Sequence, residues 1–321
     1  AERLMTAERG QRALWALLCA TLWVALEMAR ARLLTGFPWN QLGTSQYQML
    51  PLIQMASLTG GYGLSFLVAW VSVALMMAAL LLVRGAGRRP LLMAELAAPA
   101  TVVVAVWIWG SGQVWAKMAR VPSAEMKVAL VQPAVPQTLI WDAQENAYRF
   151  RKLLDLSRTA LAQQPDVLVW PEAAVPEMLR YDTNTFQAIS NLARAHKVWM
   201  IVGSDDAELA SQGERVLYFN AAFLVSPQGE ILSRYCKQRL VIFGEYVPLA
   251  RWLPWVKKLT PVGEGFEPGA GPVPFRFQVP QADGPSVAVE AAVLICFEDV
   301  FASLAGRAVG AETDLLINLT N

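Results

Sequence analysis

Leu64 to Val83 (LSFLVAWVSVALMMAALLLV) runs for twenty residues without a charge. At about 1.5 Å of rise per residue, such a helix matches a hydrocarbon core of roughly 30 Å. A buried helix of a water-soluble protein seldom needs so long an unbroken run, so this segment is expected to span a membrane. The chain as a whole carries 55% apolar and 17% charged residues, against about 45–50% and a quarter in ordinary soluble domains. The excess is concentrated in residues 13–115, whereas residues 120–321 have a globular mixture. Two solvents are implied, lipid for a region over 1–120 and water for a domain over 121–321.

Two further spans are expected beside the first, giving about three, near 13–29, 62–83 and 91–110. Each flanking span carries one acid, Glu27 and Glu95, and both are expected near a membrane boundary, where an acid costs little. Arg3, Arg9 and Arg12 precede the first span, and Arg84, Arg88 and Arg89 join the second to the third. The bias of Lys and Arg toward the cytoplasm places these segments inside and the domain after Arg120 on the opposite, periplasmic face. Arg30 and Arg32 weigh against that orientation, two against six. A cleavable signal peptide fits residues 13–29 poorly, because the Arg-containing stretch from Met28 stands where a small-residue cleavage site would be. Residues 35–60, rich in Gly, Pro, Gln and aromatics, read as a periplasmic loop with short interfacial helices.

The formal charge of +1 gives no reason to expect nucleic acid as a partner. Cys19, Cys236 and Cys296 are too few and scattered for a disulfide framework, and with His196 as the single histidine no metal-ligand spacing arises.

From Met126 the pattern changes. Short apolar runs at 126–132, 166–170, 198–203, 287–295 and 314–319 read as strands, and 142–164 and 186–197 as helices. Residues 216–225 and 230–235 flank the turn Ser226-Pro-Gln-Gly229, a hairpin. Strands with intervening helices predict an α/β layered domain. Three chemically complementary residues follow apolar runs: Glu172 after VLVWP, Lys237 after ILSRYC and Cys296 after VLI. A thiol nucleophile needs a base or a cationic neighbour. His196, inside the helix-like NLARAHK, is a poor supply. A carboxylate that takes the proton and an ammonium that stabilises thiolate and oxyanion serve better. Taken by spacing alone, Glu172 could equally be a helix N-terminal acid and Lys237 a solvated charge.

WPEAAVP at 170–176, KQRLVIFGEYVP at 237–248 and LICFED at 294–299 resemble the three active-site segments of the nitrilase (carbon–nitrogen hydrolase) superfamily. That resemblance implies an αββα sandwich in which Glu172 is general base, Lys237 transition-state stabiliser and Cys296 nucleophile. Together with PWNQLGTSQY at 38–47 and the spans, GEYVP narrows the likeness to the membrane-embedded apolipoprotein N-acyltransferase family. The narrower resemblance implies Glu245 as a second essential carboxylate and Glu298 as a further active-site acid. It also points to Trp39, Trp141 and Phe297 as substrate-binding aromatics, with interfacial or core packing an equal alternative for the two tryptophans.

The implied activity moves an acyl chain from a phospholipid through a Cys296 thioester to the α-amine of a diacylglyceryl-modified apolipoprotein. It takes place at the bacterial inner membrane, by a monomer surrounded by membrane lipid, with no cofactor and no metal. A membrane-tethered amidase and a non-catalytic membrane scaffold are the alternatives. Three departures from the family pattern are Arg239-Leu-Val-Ile242 after the lysine, Phe297 where Tyr is common, and Cys236 beside Lys237. Cys236 is expected to be a free thiol, since a bridge to Cys296 would block catalysis. Family members continue past INLTN at 317–321, so the domain is expected to be C-terminally incomplete.

Overall fold

The computed structural model describes residues 7–83, 89–119, 124–136, 143–210, 215–248, 265–282 and 284–321. The chain divides into two compact units, Ala1–Pro122 and Ser123–Asn321.

In the first unit three helices are long and apolar enough to cross a membrane. Helix α1 is Arg9–Arg30, and after the short α2 (Leu50–Ile53) come α3 (Ala56–Val83) and α4 (Arg89–Met118). Leu14, Leu18, Leu22 and Leu26 form an exposed stripe along α1, each 57–61% accessible, while Ala16 and Ala20 are buried. Small residues inward and leucines outward suit a helix whose surroundings are lipid. Helix α3 extends eight residues before Leu64 and contains a break at Gly60, whose φ of 64° is open to glycine at no steric cost.

Short 3₁₀ turns at Leu33–Thr35 and Leu42–Gln46, with α2, occupy the expected loop. That loop is held by polar contacts. Gly43 donates to Ser65 Oγ at 2.9 Å, and a Cβ on Gly43 would lie 2.6 Å from the Gly61 carbonyl. Glu27 is buried and accepts from Leu42 N–H at 2.8 Å and Trp23 Nε1–H at 3.0 Å. Glu95 pairs with Arg12 at 2.6 Å, each side chain 5% exposed. Both acids therefore have partners inside the helical unit.

The second unit is built in layers. One sheet has the order β1 (Val128–Leu130), β2 (Val167–Val169), β3 (Trp199–Leu209), β4 (Val216–Val225) and β5 (Ile231–Cys236). The other has β6 (Phe275–Gln281), β7 (Gly284–Ile295) and β8 (Leu315–Leu319). β1–β2–β3 and β7–β8 are parallel, and the hairpins β3–β4, β4–β5 and β6–β7 are antiparallel.

Strand residues alternate between faces, and the burial follows. Leu168, Trp170, Met200, Val202, Ala221 and Phe223 pack with α5 (Asn146–Leu161) and α6 (Thr183–His196). Val167, Val169, Ile201, Ala222 and Leu224 pack instead against Phe277, Val289, Ala291, Val293 and Ile295 of the second sheet. Leu294 points outward to Phe301 and to Leu304 of α7 (Ala302–Ala308). The order of layers is helix, sheet, sheet, helix, the αββα sandwich expected. Trp170, fully buried, donates to Ser157 Oγ at 2.9 Å; truncating such a residue to Ala costs about 3–5 kcal/mol.

Candidate active site

The alternation that builds the sandwich also assembles the site. On β3 the inward set Ile201, Gly203, Asp205 continues the face that packs on the second sheet, and on β4 the set Leu224, Ala222, Asn220 does the same. Asp205 and Asn220 are cross-strand partners. Lys237, one residue past β5, donates its backbone N–H to Asn220 O at 2.9 Å. Asp205, Asn220 and Lys237 thus form a row across three adjacent strands. Glu172 enters from the end of β2, where Pro171 and Glu172 cross over Gly203. A Cβ at residue 203 would lie 2.1 Å from the Pro171 carbonyl, so glycine is required there.

Lys237 is the hub. Its side chain is 1% exposed and its Nζ donates to Glu172 Oε1 at 3.0 Å and to Glu245 Oε1 at 2.7 Å. Asn220 Nδ2 bridges the same two oxygens, at 2.8 Å and 3.0 Å. Glu245 is held further by the Val241 N–H, 2.8 Å from its Oε2. Burial opposes the ammonium charge of Lys237, but Glu172 and Glu245 outweigh burial and raise its pKa.

Cys296 follows β7 at the start of a 3₁₀ turn with φ of 52°, a left-handed conformation uncommon outside glycine and often stored at functional turns. Burial first, then the Glu172 charge and the thiol–carboxylate hydrogen bond to Glu172, push its pKa up to about 11, against Lys237 and the Phe297 N–H, which lower it. At neutral pH the resting thiol is protonated, within the fields of a carboxylate that can accept its proton and of an ammonium.

Glu298 has a different position. It is fully buried, and its Oε1 accepts from the backbone N–H groups of Gln238 (2.7 Å) and Arg239 (3.0 Å). Its Oε2 accepts from Ile295 N–H (2.9 Å) and Tyr235 O–H (2.7 Å). Burial outweighs these bonds and holds its pKa above the usual carboxylate value. The residue ties the thiol turn to the lysine segment.

Phe297 stacks edge-on with Phe301, centroids 5.1 Å apart, and the Arg239 guanidinium lies over the Phe301 ring at 5.4 Å. Ile242 bridges to Tyr246. Two of the three departures thus meet in one aromatic cluster beside Cys296. Cys236 is a free thiol facing the helix-side core, whereas Cys296 packs against the core between the sheets. His196 is exposed at the end of α6. Trp39 belongs to the first unit, half exposed and stacked on Phe37, and Trp141 lies outside the described residues. Sequence reasoning missed Asn220, Asp205 and Tyr235. The available signal was YFNAAFLV, where Asn occupies an inward position of a buried strand. Among the described residues no group of His, Cys, Asp and Glu could hold a metal ion.

Residues 127–321 match the family model described as Carbon-nitrogen hydrolase. The chain belongs to the carbon–nitrogen hydrolase family. All the inward-facing site residues named above fall inside that match, and within the family the chain is homologous to the apolipoprotein N-acyltransferases. Residues 2–74 match the Apolipoprotein N-acyltransferase N-terminal domain. The chain is similar to the apolipoprotein N-acyltransferase of Geobacter metallireducens, 40% identical over 94% of this chain and 55% of the relative. It is likewise similar to that of Azotobacter vinelandii, 34% identical over 95% and 55%. The chain therefore spans about half the length of the curated relatives it matches. Among solved structures, an amidase from Nesterenkonia sp. aligns with TM-score 0.40 and 19% identity, over 63% of this chain and 67% of that one.

Proposed function

We propose that this carbon–nitrogen hydrolase is an N-acyltransferase that moves a fatty acyl chain from a phospholipid to the α-amine of a diacylglyceryl-cysteine lipoprotein. The observation that supports the reading is the Cys296 thiol lying in the field of Glu172, whose carboxylate also holds the buried Lys237 ammonium.

In the first half-reaction Glu172 takes the thiol proton as Cys296 Sγ attacks the sn-1 ester carbonyl. Lys237 Nζ and the Phe297 N–H stabilise the charge that develops. The C–O bond breaks, and the lysophospholipid alkoxide leaves with the proton that Glu172 returns. A thioester remains on Sγ. In the second half-reaction the free amine attacks that thioester and passes a proton to Glu172. The C–S bond breaks, the thiolate recovers its proton, and an amide is formed. Glu245 keeps the ammonium charged and in place, and Glu298 sets the spacing of the two reacting segments. Splitting the transfer in two means that the bulky donor and acceptor need not occupy the site together.

Three helices of membrane-spanning length and composition support acyl transfer over hydrolysis of a small polar amide. Both lipids would be reached without leaving the bilayer, where each buried CH₂ is worth about 0.8 kcal/mol. In this reading the chain crosses the bacterial inner membrane several times, with the sandwich on the periplasmic face. Trp39, Trp141 and Phe297 are assigned to lipid contact.

The test is intact-mass analysis of the whole detergent-solubilised protein incubated with phospholipid carrying a labelled sn-1 chain. Wild type gains a hydroxylamine-labile acyl mass, Cys296→Ala does not, and a diacylated lipopeptide discharges the label as an amide. An unmodified wild type that turns over small amides would replace this reading with an amidase.

A further inference from the structure

Among the described residues Asn220 is the one neutral side chain that hydrogen-bonds both Glu172 and Glu245, and only half of it is accounted for. Its Nδ2 hydrogens go to Glu172 and Glu245, which fixes which way the amide is turned. Its Oδ1, buried in a residue 4% exposed, accepts nothing. A buried amide oxygen without a donor is destabilising, so a donor is called for at that position. The cross-strand neighbour of Asn220 on the same inward face is Asp205, and directly opposed side chains in an antiparallel pair lie within reach of one another.

We propose that Asp205 is a positioning residue that works as the neutral acid, its carboxyl O–H donating to Asn220 Oδ1 and so locking the amide that bridges Glu172 and Glu245. The inference rests on the reading of Glu172, Lys237 and Cys296 given above.

The electrostatics of the row favour that protonation state. Burial, then Glu172, then Glu245 push the Asp205 pKa up to about 7, with Lys237 opposing them. These are the charged groups that face it: Glu172 from the end of β2, Lys237 from the end of β5 and Glu245 from the segment that follows. The charges of Arg180, Arg234, Asp206 and Glu208 sit on the other face of the sheet, paired among themselves. A single ammonium already serves two carboxylates, and a third negative charge would compete for it. Ionised Asp205 also has no proton to give Oδ1. On both counts the arrangement is intact below the Asp205 pKa and is lost as pH rises through it.

Two measurements test this. In the first, the rate of acyl-enzyme formation is followed from pH 5.5 to 8.5 in the whole protein, for wild type, Asp205→Ala and Asp205→Asn. Asp205→Ala removes the donor and slows acylation about tenfold at the acid end, the equivalent of one buried hydrogen bond. Asp205→Asn supplies an N–H donor that does not titrate. It restores most of that loss and removes the decline that wild type shows near pH 7. An Asp205→Asn profile that keeps the wild-type decline, or a rate as low as that of Asp205→Ala, overturns the proposal.

The second measurement needs no turnover. The infrared difference between wild type and Asp205→Asn shows a carboxylic-acid C=O band at pH 6 that bleaches toward pH 8. Absence of that band at pH 6 means an ionised Asp205 and also overturns the proposal. If wild type forms no acyl-enzyme at all, the transferase reading fails while the infrared result still decides the state of Asp205.

Discussion

Two ionic clusters lie back to back on opposite faces of the same sheet, around the consecutive residues Asp205 and Asp206 of β3. On the helix side, fully buried Asp206 takes a bidentate pair from Arg180 at 2.8 and 2.7 Å and a further bond from Arg234, which also reaches Glu208 at 2.7 Å. Two cations face two acids there, and each guanidinium keeps a partly exposed edge. On the inward side Lys237 alone serves Glu172 and Glu245, with Asp205 as a third carboxyl. The outer cluster is balanced in charge, whereas the inward one holds more acids than cations, a deficit that together with burial raises the Asp205 pKa.

The comparison is broken most severely at its inward hub. Lys237→Met leaves two carboxylates without their cation and removes a donor from the developing oxyanion; acylation should fall about 10³-fold, read as the rate of adduct formation by mass. The outer cluster should respond in the opposite sense. Asp206→Ala leaves Arg180 and Arg234 with Glu208 as their remaining acid, and with their partial exposure discounted it should cost about 2 kcal/mol of stability in denaturant unfolding. The acylation rate per folded molecule should stay within about twofold, because the pair is on the far face; a parallel loss of rate would show that the two clusters are not separable.

The smallest effect sharpens the electrostatic account. Glu172 raises the Cys296 pKa both by its charge and by its hydrogen bond. Glu172→Gln should therefore lower the thiol titration below about 11. Ultraviolet thiolate absorbance read against pH checks the direction. A titration that stays put would mean that the carboxylate does not face the sulfur.

Much of this was legible because a sandwich writes its layers as alternation. The apolar runs at 166–170, 198–203 and 287–295 each fall on a strand of the structure, and the three triad candidates follow such runs. What escaped reading has a common physical cause. β3 continues to Leu209 through SDDAEL, which looks like a loop by polarity, yet its aspartates are inward and outward members of the two ionic clusters. Burial paid for by partners distant in sequence leaves no local periodic mark. Asn220 escaped for the same reason, since its two acceptors lie 48 and 25 residues away. β6 alternates as FRFQVPQ but follows a Gly- and Pro-rich stretch whose turn character dominates.

In the helical unit, composition revealed the spans but not the Arg12–Glu95 pair, which needs the fold to bring residues 83 apart together.

Glu298 carries a mechanical consequence. One carboxyl group, about 2.2 Å from oxygen to oxygen by its covalent geometry, is the common strut for two chain segments: the turn that presents sulfur and the segment that presents nitrogen. Their separation is therefore set by a rigid covalent unit. A push on either segment is therefore passed to the other, so the Cys296 sulfur and the Lys237 nitrogen shift together as one jaw.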